Sequence, residues 1–108
     1  MSKSVNIDEL IFASTFHNAG RKKVLFNQTG SALTQFAYGS LDGGDIISSH
    51  SHDTMDEYFY FLKGTGIYRV GDETIELNPG TAVAITHGVA HELSAETLLE
   101  FVYFGVAV

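Results

Sequence analysis

His50 and His52 stand two residues apart, and Glu57 follows five positions after the second histidine. On an extended strand both imidazoles leave the same face, about 7 Å apart along the backbone. Side chains that close can converge on one metal ion. After the turn-forming Asp53-Thr54-Met55-Asp56, Glu57 opens an aromatic and apolar run that reads as the next strand, so a hairpin would fold its carboxylate back toward the histidines. His91 is a third histidine at a strand position, whereas His17 and His87 fall in apparent loops. A lone inward histidine is ordinarily a hydrogen-bonded core residue. Three with a glutamate differ, because burying several ionisable groups is costly unless they pair or coordinate a metal.

The rest of the chain reads as short strands that would position these groups. Asp8 to Phe16 is a short helix or turn, and His17 to Gly20 a loop. Lys23 to Asn27 alternates weakly as a first short strand, and Gln28 to Ser31 is a turn. Ala32 to Leu41 puts Leu33, Gln35, Ala37 and Gly39 on one face, with Thr34, Phe36 and Tyr38 on the other. Asp45 to His52, Glu57 to Leu62, Ile67 to Val70, Thr74 to Leu77, Thr81 to Ile85, Glu92 to Ala95 and Leu98 to Val106 follow as strands separated by turns, most of them carrying glycine. No amphipathic helix of useful length is visible. The expected fold is all-β, a sandwich or barrel.

At 108 residues the chain is one domain, with residues 1–31 an N-terminal segment of that domain carrying a short strand and residues 32–108 a barrel. Eight Phe and five Tyr, with eleven Gly and one Pro, suit strands joined by tight turns. A formal net charge of −7 argues against nucleic acid, which needs a basic stripe. Three of the six cations cluster at Arg21, Lys22 and Lys23. That cluster could meet an anionic substrate, but it reads first as a solvated turn before a strand. No apolar run reaches the roughly 18 residues of a membrane span, and the N-terminus lacks the apolar core of a signal peptide, so a soluble cytoplasmic protein is expected. With no cysteine there is neither disulfide nor thiolate chemistry.

Gly44, His50, His52, Glu57 and Gly64 have the spacing G-x5-H-x-H-x4-E-x6-G, and this resembles the first motif of the cupins without departure. The second cupin motif lies over Gly80, Thr86, Gly88, His91 and Ala95, with Thr86 where the family has proline and Ala95 where it has asparagine. The resemblance spans residues 32–106 and is similar in particular to small single-domain bacterial cupins. It implies a double-stranded β-helix, or jelly-roll barrel, with a metal held inside by His50, His52, Glu57 and His91. Three neutral imidazoles and a carboxylate suit a borderline divalent ion such as Zn, Ni, Mn or Fe(II), with one or two coordination positions open. Acid near the histidine range, about 6.5, is expected to release it.

A metal with an open position points first to an enzyme acting on a small polar metabolite, as in isomerisation or epimerisation of a carbonyl sugar. His87, Glu92 and Tyr103 are its acid–base candidates by chemistry alone. An Fe(II) dioxygenase and a non-catalytic small-molecule-binding module are the alternatives. Apolar residues on both faces of 57–62 and 98–106 exceed what a small barrel hides, so a homodimer packed through these strands is expected.

Overall fold

The β-branched and aromatic runs form ten strands in the computed structural model, which describes residues 2–15, 17 and 19–108. They are β1 (Ala13–Ser14), β2 (Arg21–Asn27), β3 (Leu33–Leu41), β4 (Ile46–His50), β5 (Met55–Lys63), β6 (Gly66–Val70), β7 (Glu73–Leu77), β8 (Ala82–Ile85), β9 (His91–Ala95) and β10 (Leu99–Ala107). They build a six-stranded sheet, ordered β1-β2-β3-β10-β5-β8, and a four-stranded sheet, ordered β4-β9-β6-β7, with antiparallel pairing throughout. Strands β3 to β10 form the jelly-roll, and β2 lengthens the larger sheet by pairing with β3.

Alternation decides what lies between the sheets. On β5, Glu57, Phe59 and Phe61 are buried while Tyr58, Tyr60 and Leu62 are exposed. Phe61 packs on Phe101 at 5.3 Å and on Tyr68 at 6.3 Å between ring centroids, and Leu41, Leu77, Leu93 and Leu99 complete the core. Part of the outer face of β3 is covered: Phe12 lies 6.3 Å from Tyr38, and Phe26 stacks 6.5 Å from Phe36. Tyr58 and Phe104 stack in the open at 5.1 Å.

Several strand ends differ from the sequence expectation. Strand β2 starts at Arg21 rather than Lys23, because the long β3 offers partners at Ser40 and Gly39 that extend the ladder. Strand β4 ends at His50, after a register shift beyond Ile47, so His52 sits in the connection to β5 rather than on a strand. Strand β5 begins at Met55, ahead of Glu57, because Met55 and Asp56 pair with Ala107 and Val106 at the end of β10. Where a short helix or turn was expected over Asp8 to Phe16, a 3-10 turn spans Ile7–Glu9, its Asp8 amide donating to the Asn6 side chain at 2.9 Å, and Ala13–Ser14 forms β1. Phe16, and Asn18 of the expected loop, lie outside the described residues.

Gly64 ends the first motif where no side chain fits. Its φ is +89°, and a Cβ there would overlap the carbonyl oxygen of Leu98. Gly80 has a similar φ of +94° but open space around it. The backbone penalty of about 1–3 kcal/mol is shared, and only Gly64 adds a backbone collision. Gly64→Ala is therefore expected to lose at least about 2 kcal/mol more unfolding free energy than Gly80→Ala in urea titrations. Equal losses would show that the chain relaxes freely at Gly64.

Candidate metal centre

Two adjacent strands of the smaller sheet bring the first and third histidines together. His50, the last residue of β4, is in register with His91, the first residue of β9, and the rings lie 4.3 Å apart. His52 joins them from the loop, its ring 4.9 Å from His50 and 5.5 Å from His91. The Gly88 amide holds that loop by donating to the His52 carbonyl at 2.7 Å. Gly88 adopts a φ of +81°, which is why a glycine serves there. Thr86, in place of the proline expected in this turn, keeps the bend by accepting from the Val89 amide at 3.2 Å. Ala95 ties the motifs through backbone alone, donating to the Asp45 carbonyl and accepting from the Gly44 amide.

Glu57 enters from the opposite sheet. It is buried, with Oε1 3.2 Å from His52 Nε2 and 3.4 Å from His91 Nε2. One ligand-type nitrogen from each of His50, His52 and His91 lies within 4.8 Å of the others. The triad can hold a metal ion.

The outer ring nitrogens are engaged by backbone. His50 Nδ1 lies 2.8 Å from the Ser48 carbonyl and His91 Nδ1 lies 2.9 Å from the Val89 carbonyl. A carbonyl only accepts, so each Nδ1 carries a hydrogen, and in the neutral ring Nε2 keeps the lone pair that a metal would use. Both anchors lie two residues before their histidine. His91 Nε2 is buried and makes no hydrogen bond among the described residues; at 3.4 Å its contact with Glu57 is electrostatic. An orphaned imidazole nitrogen beside a carboxylate and two further imidazoles is a donor set that fits a divalent transition ion.

The fields within the cluster differ from ring to ring. Burial lowers the His50 pKa, the neighbouring His91 and His52 add to that, and the Ser48 carbonyl opposes it. For His91 burial also pulls downward, but Glu57 and the Val89 carbonyl outweigh it and the pKa stands above the ordinary value. His17, expected in a loop, packs against His50 with the two rings tilted and their centroids 4.4 Å apart, and its pKa is lowered by burial and then by the other histidines. No periodicity in its segment signals this placement.

The centre opens into a cavity of about 320 Å³ between the sheets. Phe59, Tyr68, Leu93, Phe101 and Tyr103 supply its apolar walls, and Thr15, His17, Lys22 and Gln35 line the part formed by the N-terminal segment and β3. Tyr103 is pushed up to about 12 by burial and by Glu57, so its hydroxyl is a proton-bearing donor at neutral pH. The other two acid–base candidates do not line the cavity. His87 is bound to Asp56 at 2.8 Å through both its ring and its amide, and Glu92 pairs with Arg69 at 3.2 Å across neighbouring strands.

Because Glu57 raises His91 against the effect of burial, Glu57→Gln should reverse the sign in metal-free protein. In wild-type protein His91 is expected to titrate above 6.5 by NMR, and in the variant below it. An unchanged midpoint would mean that the carboxylate does not act on this imidazole.

Residues 37–105 match the family model of the cupin domain. The polyketide synthase protein TcmJ of tetracenomycin synthesis in Streptomyces glaucescens is 24% identical over 83 residues, which span 75% of this chain and 56% of that protein. This chain thus corresponds to about half the length of that relative. Among solved structures, a predicted oxalate decarboxylase from Thermotoga maritima superposes with a TM-score of 0.88 at 19% identity, covering 98% of this chain and 100% of the other. KdgF from Halomonas sp. gives 0.80 at 21% identity, covering 97% and 94%. At these identities the solved structures carry the fold, and the family match over most of the barrel makes this chain a member of the cupin family.

Proposed function

We propose that this cupin is a metal-dependent enzyme acting on a small polar metabolite, with His50, His52, Glu57 and His91 holding the ion. The observation that carries this reading is the convergence of three imidazole nitrogens within 4.8 Å, two of their rings oriented by backbone carbonyls, at the wall of a cavity of metabolite size. A divalent ion bound there would supply Lewis acidity toward a carbonyl or hydroxyl oxygen, the chemistry of an isomerase or epimerase. The chain's own groups divide the remaining work. Phe59, Phe101 and Leu93 exclude water, and the Tyr103 hydroxyl can donate to a substrate oxygen.

Elemental analysis tests the ligand set. Removing even an outer-shell partner of a metal ligand weakens binding about 10- to 100-fold, so His52→Ala and Glu57→Ala are each expected to weaken it at least about tenfold. Full metal content in both variants would overturn the assignment.

The outer face of the larger sheet supports a second part of the reading, a homodimer. Tyr58, Tyr60 and Phe104 are exposed there, and with Phe36, Val102, Ala82 and Ala84 they line a shallow apolar depression. A second copy would remove that surface from water. Light scattering at micromolar concentration is expected to give twice the chain mass, and Tyr60→Asp to give the chain mass. A wild-type monomer would refute the dimer.

A further inference from the structure

The crossing from the larger sheet to the smaller one touches the metal centre along its length. Strand β8 pairs with β5 from Ala82 opposite Tyr60 to Ile85 opposite Glu57, and there the ladder stops. Residues 86–90 then lead to His91, the first residue of β9. On the way the Gly88 amide holds the His52 carbonyl at 2.7 Å, and the Val89 carbonyl orients the His91 ring at 2.9 Å. The far end of the crossing is tied by the Ala90 carbonyl, which accepts from the Gly71 amide at 2.8 Å. A side chain ties the near end. Asp56 Oδ1 accepts from the His87 amide and from His87 Nδ1, each at 2.8 Å.

We infer that Asp56 is a positioning residue of the metal centre: by clamping His87 it fixes the crossing whose Gly88 and Val89 set the places of His52 and of the His91 ring. The inference rests on the metal-dependent reading of that centre. Alternation on β5 turns Glu57 inward and its neighbour Asp56 to the opposite face. One strand thus supplies a ligand on one side and grips, on the other, the loop behind two further ligands. Pairing of Asp56 with Val106 and of Glu57 with Gly105 fixes both at the end of β10. An exposed ion pair between side chains alone would do little, because both can move without the backbone. Here a main-chain N–H converges on the same oxygen, so the bond restrains the path of the crossing itself. A carboxylate oxygen only accepts, so His87 Nδ1 donates to it whether the ring is neutral or charged.

Amide hydrogen exchange of the metal-free protein reads the clamp directly. In Asp56→Ala the Gly88 amide is expected to lose at least about tenfold more protection than the Phe59 amide in the middle of β5. Competition with a chromophoric chelator reads its consequence for zinc. Asp56→Ala is expected to weaken zinc binding about tenfold, the low end of what losing a direct outer partner of a ligand does, and to shift the visible bands of the Co(II)-loaded protein. Asp56→Asn keeps an oxygen acceptor without the charge, so it should bind zinc within about twofold of wild type and keep Gly88 protected. If Asp56→Ala does not fold, His87→Ala, which keeps the amide bond and loses the ring bond, should weaken zinc binding about fivefold, and wild-type affinity there would overturn the inference. Wild-type Gly88 protection or wild-type zinc affinity in Asp56→Ala also overturns it. So does an Asp56→Asn protein as weak as Asp56→Ala, because the carboxylate would then act by charge alone. Loss of Gly88 protection in Asp56→Ala, with a wild-type protein that takes up no zinc, would uphold the clamp while the metal reading falls.

Discussion

The whole arrangement depends on holding a buried carboxylate and a buried imidazole together beside two half-buried imidazoles. Glu57 sits at the wall of an apolar core, and His91 is buried beside it with one nitrogen left without a hydrogen bond. Each of these groups alone would cost free energy by desolvation, and their juxtaposition offsets that cost only in part. A divalent ion would satisfy all of them at once. The raised His91 pKa has the same origin, because in metal-free protein a proton on that ring is the available counter-charge to Glu57.

The barrel supplies this juxtaposition from both sheets. Register places His50 beside His91 in the smaller sheet, while alternation on β5 turns Glu57 inward with Phe59 and Phe61 in the larger one. Backbone does the fine positioning. Carbonyls of Ser48 and Val89 orient two rings, and the Gly88 amide holds the loop that carries His52. The second motif therefore contributes a histidine and also the brace that keeps the first motif in place. This explains why Thr86 and Ala95 are tolerated at family proline and asparagine positions: the turn and the tie between strands are made by main-chain groups that threonine and alanine possess.

Much of this was legible in the sequence. The spacing of Gly44, His50, His52, Glu57 and Gly64 carried the fold, and the strands expected around 57–62 and 98–106 are those that meet in the larger sheet. What escaped has physical reasons. Ring orientation comes from backbone carbonyls, which leave no mark on residue type. His17 lies in a segment without periodicity, and its approach to His50 is a tertiary event. His87 and Glu92 have suitable chemistry, but strand direction carries Glu92 to Arg69, and Asp56 engages His87. Lys22 was hidden because ladder pairing with β3, rather than local propensity, extends β2 back to Arg21 and turns that lysine into the cavity.

Anomalous diffraction from crystals grown with a divalent transition metal at neutral pH addresses the central claim most directly. One peak between the sheets is predicted, about 2.0–2.2 Å from an imidazole nitrogen of His50, His52 and His91 and from an oxygen of Glu57. A map with no peak there, or with the ion bound elsewhere on the chain, would contradict it.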